Sequence, residues 1–167
     1  FPVVMKVVGP VHKSDVGGVV LNVKDIETVE KTFEQMMKIP QSTGVLLQPM
    51  LRGSEIFVGA KAEPKFGHIV LAGLGGIFIE VFKDVNSAIA PISCEEASLM
   101  IKKLKSYKII EGARGQEGIN EKAFEDVIIR VGALVNVAPQ IAEMDINPLL
   151  GNKDNLTAVD ARIRIEK

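Results

Sequence analysis

Short β-branched segments, separated by connections of turn length, constrain the fold of this 167-residue chain more than any other feature. Between residues 45 and 82, strands are predicted over 45–48, 55–62, 68–71 and 77–82. The connections carry glycine or proline and are too short for the crossover that parallel strands need. The middle of the chain is therefore predicted to form an antiparallel sheet.

The first fifty residues predict a smaller unit of strands and one helix. Residues 3–8 and 19–23 are typical of strands, and they could pair as a hairpin across a long glycine-bearing loop. Asp25 is placed to cap a helix that ends near residue 39, before Pro40. The apolar side of that helix is predicted to consist of Ile26, Val29, Phe33 and Met36.

The second half of the chain predicts covering helices and two closing strands. Ser93 and Glu96 form a capping-box pattern for a helix that runs to about residue 105, and Asn120 caps a longer helix to about residue 137. Closing strands are predicted over 141–146 and 156–163. The predicted buried positions are Ala97, Met100, Ile101 and Leu104, then Phe124, Val127, Ile128, Val131, Leu134 and Val135. The fold class is α+β, with mixed or antiparallel sheets and covering helices.

Composition excludes several classes of protein. Twenty Lys and Arg balance 21 Asp and Glu, which argues against broad binding of nucleic acid or anionic membranes. The single cysteine, Cys94, rules out an internal disulfide and a multi-cysteine zinc site, and it favours a cytoplasmic location. No apolar run reaches the ~18–20 residues that a membrane span requires.

Two segments near the start are candidates for phosphate binding. Lys6 is a charge inside an apolar strand, and it is either an outward-facing side chain or a lysine aimed at a phosphate. The loop at 12–18 carries His12, Lys13 and Ser14 before a glycine pair, which can present backbone N–H groups to phosphate oxygens. On the sequence alone, a solvated hairpin tip is the favoured explanation of that loop.

The C-terminal part carries a candidate metal site. Glu143, Asp145 and Asn147 alternate along a strand and should share one face. If the next strand folds back antiparallel, Asp160 can face Asn147. Amide and carboxylate oxygens suit Mg²⁺, which keeps several waters and also accepts substrate phosphates. The alternative is an exposed acidic face with no ligand.

In combination and in order, these segments resemble one family. The chain is similar to the ATP-grasp part of nucleoside-diphosphate-forming acyl-CoA (acetyl-CoA) synthetases, relatives of the succinyl-CoA synthetase β subunit. The segments that carry the resemblance are PVVMK at 2–6, HKSDVGG at 12–18, QPM at 48–50, FG at 66–67, GLGGIFIE at 73–80, RG at 114–115, DINPL at 145–149 and VDAR at 159–162.

The resemblance implies an ATP-grasp fold in which nucleotide lies between two α+β subdomains, here about 1–50 and 51–167. It also implies that acyl-CoA, ADP and phosphate are converted reversibly into acid, CoA and ATP, through an acyl phosphate and a phosphohistidine. The expected cofactor is Mg²⁺, with ATP or ADP as substrate. This activity would make the parent protein an acid–thiol ligase.

By resemblance, Lys6 would contact a nucleotide phosphate, and His12, Lys13 and Ser14 would lie over the phosphates. The residues expected near the nucleoside are Gln48, Met50, Leu51 and Glu55.

The resemblance also implies catalytic and metal-binding roles. Asn147 and Asp160 match the Mg²⁺ ligands. Asp145 matches a carboxylate that meets the incoming phosphohistidine, and His12 matches a histidine proposed as a second phosphoryl carrier.

The chain is expected to be part of a longer protein, because it starts inside a strand and just before the family's phosphate lysine. The preceding helical portion of the ATP-grasp module is expected to be missing. The expected partners are CoA-binding and ligase domains, or an α subunit, that carry the main phosphohistidine. The chain alone is not expected to complete the reaction.

Three other functions fit the pattern. One is a non-catalytic ATP-grasp-like regulatory module of an acetyltransferase fusion. A second is an ATP-grasp carboxylate–amine ligase, which would use an acyl phosphate without phosphohistidine. A third is an interaction domain that binds no nucleotide.

Overall fold

A computed structural model describes residues 1–10, 13, 16–75, 83–113, 115 and 117–166. The predicted strand over 77–82 lies outside the described residues. The chain divides into two compact units, Phe1–Leu51 and Arg52–Lys167. The division lies next to the boundary expected from the resemblance, and the assignment of the two units to two ATP-grasp subdomains stays a prediction.

The first unit is a three-stranded antiparallel sheet with one helix. Strands β1 (Val3–Val8), β2 (Val19–Val23) and β3 (Gly44–Pro49) are arranged in the order β2-β1-β3. The predicted hairpin of the first two strands is confirmed. The helix α1 (Ile26–Met36) contributes Met36 to a small core with Met5 and Val23.

The buried side of α1 differs from the prediction at two positions. Asp25 caps the helix as predicted, accepting a hydrogen bond from the backbone N–H of Thr28 (2.8 Å). However, Ile26 is 67% exposed and Phe33 45% exposed, whereas Thr32 is buried together with Met36. At about 100° per residue, Ile26 and Phe33 lie roughly 80–100° around the helix axis from the middle of the stripe formed by Thr32 and Met36. The narrow sheet covers only that stripe.

The second unit is built on a larger antiparallel sheet. Its strands are β4 (Ser54–Glu63), β5 (Gly67–Leu74), β6 (Val85–Ile89), β7 (Ile141–Gly151), β8 (Leu156–Ala158) and β9 (Ala161–Ile165). Their order is β6-β5-β4-β7-β8, and β9 also pairs with β7. The predicted antiparallel pairing of the strands over 55–62 and 68–71 is therefore confirmed. The prediction is wrong for the strand over 45–48, which pairs with β1 in the first unit, and β6 was not predicted.

Helices α2 (Cys94–Lys102), α3 (Tyr107–Glu111) and α4 (Glu121–Val137) belong to the same unit. The capping box of Ser93 and Glu96 is present, and the side chain of Asn120 caps α4. The predicted stripe of α2 is buried, although the helix ends at Lys102. On α4 the prediction is wrong at Leu134, which is 39% exposed although Val135 is fully buried. Leu134 lies roughly 90° around the helix axis from the middle of the buried stripe.

The described helices of the second unit cover one face of this sheet. Ala142 and Met144 of β7 are buried, and Met144 belongs to the core with Phe124 and Ile128 of α4. Because side chains alternate along a strand, Glu143 and Asp145 point to the opposite face. The fold therefore presents the polar side chains of β7 away from the helical layer.

Candidate functional site

Asn147 and Asp160 lie opposite one another on neighbouring segments of the sheet. Asp145 pairs with Arg162 and Ile146 with Ala161, and the backbone N–H of Asn147 donates to the carbonyl oxygen of Asp160 (3.1 Å). Asn147 is exposed and Asp160 is half-buried. The structure thus brings the two predicted metal ligands together, and their role as ligands stays a prediction.

An irregularity in β7 shapes this end of the sheet. Ile56 of β4 pairs with Leu149, and Val58 pairs with Ile146, so two residues of β7 oppose Phe57 alone. Those two residues are Asn147 and Pro148. Such a bulge bends the strand and changes the direction in which a side chain points. It falls at the predicted metal ligand.

The next pair of side chains along these strands carries opposite charges. Arg162 Nε lies 4.0 Å from Asp145 Oδ1, and Gly59 of β4 is the other neighbour of Asp145. One step further, Arg164 Nε lies 3.6 Å from Glu143 Oε2. Along these two segments, the opposed residues Asn147 and Asp160 are therefore followed by two ion pairs. These pairs are Asp145 with Arg162 and Glu143 with Arg164.

Asp145, the acid of the first ion pair, has an altered pKa. Burial raises the pKa of Asp145 above its ordinary value. The guanidinium of Arg162 opposes this shift, whereas the negative charges of Glu143 and Asp160 add to it. Negative charge is thus concentrated beside Asp160, and a bound cation would relieve it.

The donor set suits a hard cation that is completed by other ligands. Among the described residues, no group of three or more His, Cys, Asp and Glu side chains could hold a metal ion. One amide and one carboxylate from the protein are enough to hold Mg²⁺, because water molecules and substrate phosphates supply its other ligands. The residues present fit a magnesium ion that arrives with a nucleotide.

Lys6 is the predicted phosphate ligand of the first unit. It is only 8% exposed, and it pairs with Val19 of β2 and Leu46 of β3. Lys6 is therefore not an exposed side chain. It already has an interaction partner in the protein, and its role as a phosphate ligand stays a prediction.

The loop after β1 is described only in part, and His12 and Ser14 lie outside the described residues. The carbonyl oxygen of Lys13 accepts a hydrogen bond from the N–H of Gly18 (2.7 Å). A side chain at Gly18 would meet Val7 Cγ1 at 2.3 Å, so this glycine lets the loop close onto β1.

The residues expected near the nucleoside lie around the end of β3 and the start of β4. Gln48 pairs with Val4, and the N–H of Met50 donates to the carbonyl oxygen of Pro2 (3.1 Å). Leu51 is exposed and ends the first unit, and Glu55 is exposed on β4 of the second unit.

The glycine-rich segment at 73–76 has a structural explanation at its described positions. A Cβ on Gly73 would lie 2.3 Å from the carbonyl oxygen of Asp84, and one on Gly75 would lie 2.9 Å from that of Ile56. Both glycines therefore allow close approach of backbones. Gly76 and Glu80 lie outside the described residues.

Sequence reasoning assigned no role to two residues of this face. Arg162 lies in the segment that carries the resemblance, and Phe57 opposes the bulge of β7. The alternation of arginine and isoleucine in β9 was the available signal for Arg162, since it predicts two guanidinium groups on one face.

The chain belongs to the ATP-grasp domain family, whose sequence profile matches residues 1–165. This match confirms the predicted ATP-grasp family, and the antiparallel sheets with their helices confirm the predicted α+β class. In the described part of the chain, no helix is long and apolar enough to cross a membrane.

Two sequence relatives show how much of a whole protein the chain represents. It is 43% identical to the β subunit of acetate–CoA ligase [ADP-forming] I from Pyrococcus furiosus, over 98% of this chain and 75% of the relative. It is 42% identical to acetate–CoA ligase [ADP-forming] II from Archaeoglobus fulgidus, over 98% of this chain and 24% of the relative. The chain therefore spans about a quarter of that longer relative.

Two solved structures of acetyl-coenzyme A synthetase 1 from Ca. Korarchaeum cryptofilum, described as dinucleotide forming, are each 40% identical to this chain. Both matches cover 99% of this chain and 77% of the solved one, with TM-scores of 0.93 and 0.87. The first is a complex with coenzyme A, Ca-AMPCP and HgCl+. The second contains coenzyme A and Mg-AMPPCP, with its phosphohistidine segment pointing towards the nucleotide-binding site.

Proposed function

We propose that this chain is the nucleotide-binding, phosphoryl-transfer domain of an ADP-forming acyl-CoA synthetase. The whole enzyme would convert acyl-CoA, ADP and phosphate into acid, CoA and ATP, through an acyl phosphate and a phosphohistidine. The observation that carries the proposal is the position of Asn147 on β7 opposite Asp160, the residue just before β9. The ADP-forming ligases among the relatives and the Mg-AMPPCP complex support it.

The predicted metal ligands and phosphate ligands would each have a task in this reaction. Asn147 and Asp160 would hold Mg²⁺, which neutralises phosphate charge when it is bound. Lys6 would add a fixed positive charge for the phosphates, alongside Lys13 and backbone N–H groups of its loop. These charges have to be in place because phosphoryl transfer depends mainly on positioning and electrostatic stabilisation.

Two further side chains would handle the transferred group. The imidazole of His12 would attack the γ-phosphorus of ATP, so that an N–P bond forms while the bond to the ADP oxygen breaks, because a neutral imidazole nitrogen is nucleophilic. Asp145 would meet the incoming phosphohistidine of a partner. A carboxylate in that position can hydrogen-bond an imidazole N–H and hold the ring in the orientation required for transfer.

The remaining parts of the reaction are assigned to partners. CoA-binding and ligase domains, or a separate α subunit with the main phosphohistidine, would supply CoA and the acyl group. A cytoplasmic location is proposed as well, and the exposed free thiol of Cys94 is in keeping with a reducing compartment.

The metal assignment is tested in the intact enzyme. Asn147→Ala and Asp160→Ala should each abolish Mg²⁺-dependent nucleotide turnover while circular dichroism shows a retained fold. Asp154→Ala is the matched control, because Asp154 is an exposed acid in the turn between β7 and β8. Turnover that survives in both site variants would refute the metal assignment.

Labelled ATP tests the histidine chemistry. Incubation with γ-labelled ATP should leave an acid-labile, base-stable phosphohistidine, and His12→Ala should lose the label that belongs to this domain. A carboxylate–amine ligase would form no phosphohistidine at all. An enzyme that binds no nucleotide would instead favour a regulatory module or an interaction domain.

A further inference from the structure

Arg162 lies close to the proposed metal ligands along the chain. It is the second residue of β9, and Asp160 immediately precedes that strand, so the two residues are at most roughly 7 Å apart along the chain. Across the strand pair, Arg162 is opposite Asp145, as Asp160 is opposite Asn147. A guanidinium therefore lies within two residues of a proposed magnesium ligand.

The contacts of Arg162 leave its guanidinium able to bind another group. Within the described part of the chain, its recorded ion pair is with Asp145, and the 4.0 Å between Nε and Oδ1 is too long for a hydrogen bond. The side chain is 45% exposed. The long stem of arginine can reach along the face, and its planar fork matches phosphate oxygens.

The neighbouring arginine differs in this respect. Arg164 lies between two acids, with Glu143 Oε2 at 3.6 Å from its Nε and a hydrogen bond from its Nη1 to Glu166. It is also one step further from Asp160 along the strand. Its charge is therefore already engaged by carboxylates away from the metal ligands.

We propose that Arg162 is a further phosphate-binding residue, whose guanidinium donates hydrogen bonds to a phosphate of the nucleotide that carries the metal held by Asn147 and Asp160. This inference rests on the proposed function. In the absence of nucleotide, Arg162 stays beside Asp145. When nucleotide binds, the guanidinium moves towards the phosphates, because a doubly charged phosphate attracts it more strongly than one carboxylate at 4.0 Å does.

The test is the affinity of the intact enzyme for Mg·AMP-PCP and for adenosine, measured by calorimetry. Arg162→Gln should weaken Mg·AMP-PCP binding about tenfold or more, since a charge-assisted hydrogen bond is lost. Adenosine binding should change less than about twofold, because adenosine has no phosphate. Arg164→Gln is the matched control and should leave both affinities within about twofold.

Two more variants separate contact from simple charge balance. Arg162→Lys keeps the charge and should recover part of the affinity lost in Arg162→Gln, but not all, because lysine lacks the bidentate fork. In the double variant Asp145→Asn with Arg162→Gln, binding should stay weak. If Arg162 serves only to neutralise Asp145, the double variant will bind as the wild type does, and the inference is overturned.

The outcomes also distinguish this inference from the proposed function. If wild-type enzyme binds Mg·AMP-PCP and Arg162→Gln binds it equally well, only the role of Arg162 is refuted. If the wild type binds no Mg·AMP-PCP, both are refuted. An equal loss of adenosine and Mg·AMP-PCP affinity would indicate a distorted site and would also overturn the role.

Discussion

At the scale of single residues, Asp84 shows how one buried charge can hold two segments together. The side chain is buried, and its two oxygens accept the backbone N–H groups of Lys105 (2.9 Å) and Ser106 (2.7 Å). Burial would raise the pKa of Asp84, but the hydrogen bonds from Ser106 and Lys105 outweigh it and leave this pKa lowered. The ionised form therefore stabilises the folded protein.

The sign of this shift gives a pH-dependent prediction. Because the folded pKa is depressed, the stabilisation is complete above the unfolded pKa of ~3.9 and is lost as the pH falls through the folded value. Asp84→Asn should lower the free energy of unfolding by about 1–3 kcal/mol at pH 7, and by less at pH 3. Urea titrations at both pH values measure this difference. The exposed control Asp154→Asn should stay within about 0.5 kcal/mol, and an equal effect of Asp84→Asn at both pH values would contradict the assignment.

At the scale of elements, Asn120 joins the start of α4 to the turn that connects β7 with β8. Its Oδ1 accepts the N–H of Ala123 (3.0 Å), and its Nδ2 donates to the carbonyl oxygen of Asp154 (3.2 Å). Its backbone N–H donates to the carbonyl oxygen of Asn152 (2.7 Å). The helix cap thus also holds the turn between β7, which carries Asn147, and β8, which precedes Asp160.

Substitution of this cap separates its two functions. Asn120→Ala should lower the free energy of unfolding by about 0.5–2 kcal/mol, the usual range for a lost N-cap. Asn120→Asp keeps the oxygen that caps the helix and loses the hydrogen bond to the carbonyl oxygen of Asp154. Its free energy of unfolding at neutral pH should therefore fall less than that of Asn120→Ala. Thermal unfolding followed by circular dichroism compares them, and equal losses in the two variants would show that the contact with the turn dominates.

The helix α1 offers a matched pair for its buried and exposed sides. Met36 is fully buried in the small core, whereas Phe33 is largely exposed on the flank of the helix. Met36→Ala should therefore lower the free energy of unfolding by about 2–5 kcal/mol. Phe33→Ala should lower it by at most about 1 kcal/mol. Chemical denaturation of both variants checks the order, and a larger loss for Phe33 would contradict the observed packing.

At the scale of the whole molecule, the proposed site predicts how a ligand changes stability. A ligand that binds only the folded state, at about 100 times its Kd, stabilises by roughly 2.7 kcal/mol. Mg·AMP-PCP at that concentration should raise the Tm of the wild-type protein. The same concentration should leave the Tm of Asp160→Ala unchanged, although its Tm without ligand remains close to that of the wild type. An equal upward shift in both proteins would place the ligand elsewhere.

Much of the fold was predictable because its signals are local. The caps at Asp25, Ser93 and Asn120 follow from hydrogen bonds within four residues. The strand boundaries of β1 and β2 agree with the prediction, since β-branched runs are bounded there by glycine and proline. By contrast, β6 has the sequence VNSAI, and α3 has five residues, so neither carries a clear periodic signal.

The sequence alone determined the family, the α+β class and the residue types of the candidate site, because these depend on composition, short periodicity and the order of motifs. The tertiary structure decided which side of α1 is buried and which residues lie opposite Asn147 and Asp145. Those facts depend on strand register and on the area of sheet available to each helix. Strand register, and the side of a helix that packs on a sheet, are set by contacts between segments distant in the sequence. Local sequence patterns do not contain that information.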